Sequence, residues 1–139
     1  MTHHRKVSPA AALWCTLLPI AAGAALAPAE AHASDIFDIF TAIAWCESHG
    51  LQFDPNIKPR PGHSLSDRER VFRSPLNKHW IGKFQINEAT NGADARRLGF
   101  DIYTEAGNEA YAHHLYTLEG TSPWDGSGRC WRRLIGQGR

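Results

Sequence analysis

The sequence has almost no excess charge of either sign: 15 Lys and Arg stand against 14 Asp and Glu, a net charge of +1 over 139 residues. A protein that binds a polyanion needs a basic excess, so no nucleic-acid partner is expected. Internal repeats, heptads and low-complexity segments are missing from the chain after its first thirty or so residues, which sets aside coiled coils and repeat arrays. No stretch alternates apolar and polar residues well enough to mark a strand. There is no phosphate loop, dinucleotide fingerprint or zinc spacing. His49, His63 and His79 are scattered, and the adjacent His113 and His114 point to two faces of a helix, so neither supports the other as a ligand. No cofactor and no metal are expected. Cysteine is scarce as well: Cys15, Cys46 and Cys130. An odd count in an exported chain implies a free thiol or one that is removed.

What is present is enough for one domain with a core, since 42% of the residues are hydrophobic, which argues against wholesale disorder. The chain opens with Arg5 and Lys6, then an uncharged Ala- and Leu-rich run from Val7 to Ala27, then Ala31-His32-Ala33. This is the pattern of a secretory signal peptide over 1–33, cleaved after Ala33. The alternative is an uncleaved membrane anchor, for which the run is about long enough, although Pro19, Gly23 and Pro28 interrupt it. Cleavage removes Cys15 and leaves acids and bases balanced. It places Cys46 and Cys130 in an oxidising compartment, periplasmic or extracellular, where one disulfide is the natural pairing. By chain entropy, such a long loop would contribute about 4 kcal/mol.

The rest reads as mainly α-helical, with 34–131 as the folded domain and 132–139 as a basic tail. Ser34 or Asp35 can cap a first helix, Ile36, Phe40 and Ile43 form its apolar stripe with Ile39 beside them, and Gly50 stops it. Glu47 is the next position on that stripe. A carboxyl on an apolar face is desolvated on one side, which favours its protonated form; if the helix ends earlier, Glu47 is simply solvated. Pro55, Pro59, Pro61 and Pro75 break up 51–80, a region with room for a short β-hairpin or irregular structure along a functional surface. Within it, Ser66-Asp67-Arg68-Glu69 is a capping-box pattern for a short helix over about 67–73. Further helices are expected over 88–98 and 104–119, the second capped by Thr104 and stopped by Gly120. Asn108, Tyr111, Ala112 and Leu115 share one side of it. Pro123-Trp124 begins a loop.

Three segments in order carry a resemblance. They are Ala44-Trp45-Cys46-Glu47-Ser48-His49-Gly50, then Gly82-Lys83-Phe84-Gln85-Ile86-Asn87, then Asn108 to Tyr116 followed by Ser122-Pro123-Trp124 and Ser127-Gly128-Arg129-Cys130-Trp131. The series resembles the soluble lytic transglycosylase-like (SLT domain) group of the lysozyme-like superfamily, enzymes that cut peptidoglycan glycan strands. It covers essentially all of 35–131. The resemblance implies a small lysozyme-like fold and makes Glu47 the catalytic acid and base. Such an enzyme cleaves the bond between N-acetylmuramyl and N-acetylglucosaminyl residues and leaves a 1,6-anhydro sugar, without consuming water.

The same resemblance implies that Ser48 supports Glu47 or the sugar; otherwise its hydroxyl bonds to its own helix backbone. Gln85 would line the glycan cleft, where an amide can both donate to and accept from sugar hydroxyls. Asn108 and Tyr111 would contact substrate or brace Glu47, or else pack between helices, and Tyr116 is a weaker candidate. Trp124 either stacks on a sugar or packs over the disulfide. Trp45, Trp80 and Trp131 are assigned to the core. Lys83 departs from the family's usual aliphatic residue after the Gly. A nucleophilic cysteine served by a nearby His is the rival chemistry. Hydrolytic relatives need a second carboxylate across the cleft; Asp54, Asp67 and Glu88 are available, but no motif contains them, which favours the transglycosylase over a muramidase. A non-catalytic glycan-binding or assembly protein on the same fold is the alternative of a different class. The expected partner is peptidoglycan, met as a monomer, with a secretion or conjugation apparatus as the setting in which such local wall openers work.

Overall fold

The computed structural model describes residues 29–136, with side chains from 39 onward. The expected leader over 1–33 lies outside the described residues except for its last five, which belong to the first helix. Helix α1 spans Ala29–Ser48. Ser34 and Asp35 are therefore inside it rather than capping it, because Ala29, Ala31 and Ala33 are strong helix formers that carry the helix back. Of the expected stripe, Phe40 and Ile43 are buried and Ile39 packs partly buried against the core; the side chain of Ile36 lies outside the described residues. The helix stops where His49 (φ 55°) and Gly50 (φ 77°) turn left-handed, and Gly50 N–H donates to Ala44 O at 3.0 Å, a Schellman-type closure.

Helix α2 is the single turn Asp67–Arg70, shorter than expected. Its capping box forms, with Ser66 N–H donating to Glu69 Oε2 at 2.8 Å. Val71 then leaves the helix because it is buried and pairs as an isolated bridge with Phe53, while Arg73 bridges Ile81. Strands β1 (Trp80–Ile81) and β2 (Ile86–Asn87) form an antiparallel hairpin in the register Trp80–Asn87 and Ile81–Ile86. The hairpin lies just beyond the stretch expected to hold it.

Helix α3 (Glu88–Arg97) starts from Asn87, whose side chain accepts from Ala89 N–H at 3.0 Å. Helix α4 (Glu105–Glu119) starts from Thr104, which accepts from Gly107 N–H at 3.0 Å, and ends at Gly120. Where a loop is expected after Pro123, a 3-10 helix runs over Ser122–Ser127 and leads directly into α5, Gly128–Leu134. Pro123 in its first turn was a start signal, masked by Gly126 and Gly128. Arg132 and Arg133 consequently belong to a helix rather than to a tail.

The chain is thus a mainly α domain with a small two-stranded sheet. Its core joins α1, the hairpin, α4 and the C-terminal helices around Phe40, Ile43, Phe84, Tyr111, Trp124 and Trp131. Phe40 meets Phe84, Tyr116 and Trp124 edge-on, with ring centroids 5.4, 5.2 and 6.0 Å away. Cys46 and Cys130 form a disulfide across 84 residues, with Cα atoms 6.0 Å apart, and clip α5 to the end of α1. Among the described residues, no helix is long and apolar enough to cross a membrane.

Candidate active site

Glu47 stands on the last turn of α1, where the stripe of Phe40 and Ile43 brings it against the packed C-terminal segment. Its carboxyl is half-buried, and Oε1 accepts a hydrogen bond from Ser127 Oγ at 2.6 Å. Burial pushes its pKa above the ordinary carboxylate value, and the Ser127 hydroxyl pulls the other way without cancelling the rise. The carboxyl lies on the wall of a cleft of about 720 Å³. Gln85, Ile86 and Asn87 from the hairpin, Asn91 from α3, Leu115 and Glu119 from α4, and Trp124 and Ser127 complete much of that wall.

The turn Gly82–Gln85 explains the Gly-x-x-Gln spacing. Gly82 has φ 71°, and a Cβ there would lie 2.5 Å from Gln52 Oε1 and 2.6 Å from Asn108 Nδ2, so only glycine fits. Main-chain bonds hold the two ends of the turn, Gly82 N–H donating to Phe72 O at 2.8 Å and Gln85 N–H to Gly82 O at 3.2 Å, and side chains from elsewhere hold its centre. Lys83 N–H donates to Gln52 Oε1 at 2.9 Å, and Phe84 N–H to Asn108 Oδ1 at 3.0 Å. Lys83 O accepts from Ser48 Oγ at 2.7 Å, and Phe84 O from Trp124 Nε1 at 3.0 Å. Lys83 reaches α4 and pairs with Glu109 at 3.0 Å. The clamped turn delivers Gln85 to the cleft with a left-handed backbone, φ 49°, a conformation that a non-glycine residue holds only when its surroundings enforce it. Gln85 Nε2 donates one of its protons to Gly82 O at 2.8 Å, which leaves Oε1 and the second N–H as its remaining polar groups.

Several expected contact residues therefore act one layer back. Ser48 is buried and spends its hydroxyl on backbone oxygens, so it does not line the cleft. Asn108 is fully buried, and its Nδ2 donates to Ile81 O at 3.2 Å and Ile102 O at 3.1 Å. Tyr111 is buried too; its hydroxyl points to Asp94 and Asn91, and burial together with the Asp94 charge pushes its pKa up to about 12. Tyr116 packs on Phe40. Trp124 borders the cleft, but it is a core residue with its N–H committed. Gln85 and Glu47 are the expected residues that the cleft brings together with polar atoms available.

Three features escaped the sequence. Trp80, expected in the core, is 38% exposed and sits on the cleft rim near Leu76; only its placement before the Gly-x-x-Gln turn hinted at this. Trp45 is likewise outside the core, 55% exposed and edge-on to His49. Ser127 lies 80 residues from Glu47, and its place before Cys130 was the sole clue.

The second carboxylates named from sequence are elsewhere. Asp67 pairs with Arg70 at 2.6 Å, and Asp54 closes a turn on Asn56 N–H at 2.8 Å. Glu88 binds Arg73 at 2.6 Å and accepts from Tyr103 Oη at 2.8 Å. Burial alone would raise its pKa, but these bonds and the Arg73 and Arg68 charges hold it below the ordinary value. The cleft wall does carry one further carboxylate, the exposed Glu119. Among the described residues, no group of three His, Cys, Asp or Glu side chains could hold a metal ion. No protein-family model, curated protein or solved structure matches this chain.

Proposed function

We propose that this chain is an exported peptidoglycan lytic transglycosylase of lysozyme-like fold, with Glu47 as its single acid and base. The observation that carries the reading is the setting of Glu47: a half-buried carboxyl with a raised pKa, on the wall of a cleft large enough for sugar rings. The resemblance of the ordered motifs around Glu47, Gln85 and Cys130 supports the choice of family. Protonated Glu47 gives its proton to the glycosidic oxygen as the C1–O bond breaks and the muramyl ring takes on oxocarbenium character. The carboxylate then takes the proton of the C6 hydroxyl, whose oxygen closes onto C1. Glu47 ends protonated again, and no water is used. Gln85 Oε1 accepts from a sugar hydroxyl, and Trp80 offers an aromatic face at the rim.

A hydrolytic muramidase is the second reading, favoured by Glu119 on the same wall, a carboxylate that could activate water. Product mass separates the two. Anhydro-muropeptides, lighter by one water than hydrolytic products, are expected; reducing-end products together with loss of activity in Glu119→Gln would make the protein a muramidase. Zymography of wild type against Glu47→Gln tests catalysis itself. Lysis is expected to vanish in the variant while the fold persists; undiminished lysis in the variant would move the catalysis off Glu47, and no lysis by either protein would leave a non-catalytic glycan binder.

A further inference from the structure

Two links join α1 to the C-terminal helices side by side. Cys46, next to Glu47, is bonded to Cys130. Glu47 itself meets Ser127, one turn before Cys130. The disulfide thus fixes the segment that carries the Ser127 hydroxyl, and Trp131 Nε1, donating to Trp124 O at 3.1 Å, fixes it from the other side. That same carbonyl is the alternative acceptor for Ser127 Oγ, at 3.2 Å. It already takes the indole proton, and the carboxyl at 2.6 Å is closer. The Ser127 proton therefore goes to Glu47 Oε1.

We propose that Ser127 is a positioning residue for Glu47: by donating to Oε1 in both protonation states, it keeps the acid proton on Oε2 and sets the orientation of that oxygen. The proposal rests on the acid role given to Glu47 above. One hydroxyl held by a cross-link does what a mobile water could not, because it does not leave when the glycan enters. Other charges around Glu47 do not compete for this role. Glu119, from α4, is exposed on the same wall. Asp125, in the 3-10 helix, pairs with Arg132 of α5 at 3.5 Å. Lys83, on the turn against α1, is taken by Glu105 and Glu109. His49 is exposed against Trp45.

The test is a carbon-13 carboxyl titration of Glu47 by NMR in wild type, Ser127→Ala and Ser127→Thr, with the signal assigned by its loss in Glu47→Gln. Removing the hydroxyl takes away the one contact that lowers the pKa, so the Ser127→Ala midpoint is expected to move upward and Ser127→Thr to return toward wild type. On glycan strands, Ser127→Ala should lose about tenfold in kcat, while the alkaline limb of its pH profile moves to higher pH. A simple loss of packing would lower the rate without moving that limb. A Ser127→Ala midpoint equal to wild type overturns the proposal even if the wall is cleaved. An upward midpoint in a protein that cleaves no glycan would keep the Ser127–Glu47 link and remove the transglycosylase reading instead.

Discussion

At the scale of single residues, Glu47 couples the cleft to the stability of the fold. Its pKa is raised in the folded chain, chiefly by burial, so the folded state holds a proton that the unfolded chain has already released. Stability from this group is present below the ordinary carboxylate range and is lost as pH climbs through the raised value. Glu47→Gln removes that ionisation and keeps an oxygen for Ser127. Urea unfolding should find the variant no more stable than wild type at about pH 4 and more stable at about pH 7; an unchanged difference between the two would contradict the burial of Glu47. Trp80 makes a different kind of contribution. A rim aromatic grips substrate and transition state alike, so Trp80→Ala should raise KM with little change in kcat. Steady-state kinetics on defined glycan oligomers would show it, and a fall in kcat alone would argue against a stacking role.

Among the elements, the turn between β1 and β2 has the most at stake. At its centre, the peptide groups of Lys83 and Phe84 depend on Ser48, Gln52, Asn108 and Trp124. Asn108→Ala takes the acceptor from Phe84 N–H and a donor from Ile81 O and Ile102 O in the core, which should cost about 3 kcal/mol in denaturant unfolding. Gly82→Ala meets both a positive φ and an occupied space, and more than about 2 kcal/mol of destabilisation is expected. Either variant retaining wild-type stability would mean that the turn has another support. The helices were largely legible because their signals are local: Thr104, Ser66 with Glu69, and Gly120 act within one turn of themselves. The polar residues of the motifs were legible as important but not in their roles. An Asn or Ser that bonds a sugar and one that bonds a buried carbonyl have the same chemistry, and only the partner, dozens of residues away, distinguishes them. Trp80 was misjudged for a related reason, since apolar character predicts burial and says nothing about which residues rim a cleft.

At the scale of the whole molecule, the Cys46–Cys130 bond closes a loop of 84 residues in sequence separation. Replacing both cysteines by Ser should lower unfolding free energy by about 4 kcal/mol, measured by urea titration against the oxidised wild type. A loss near zero would mean that the packing of α5 on α1 is sufficient alone. Reduction should also loosen Ser127 from Glu47, so the NMR midpoint of Glu47 should rise in the Cys46→Ser, Cys130→Ser variant.

That long closure also imposes an order in time. Glu47 is made well before Ser127 and Cys130, because Ser127 follows it by 80 residues and Cys130 follows Cys46 by 84. Until that later segment has been made and the thiols have met an oxidant, the carboxyl has neither its hydroxyl partner nor its covalent clip. A chain still emerging, or one kept reduced, carries the acid residue without the arrangement that aims it.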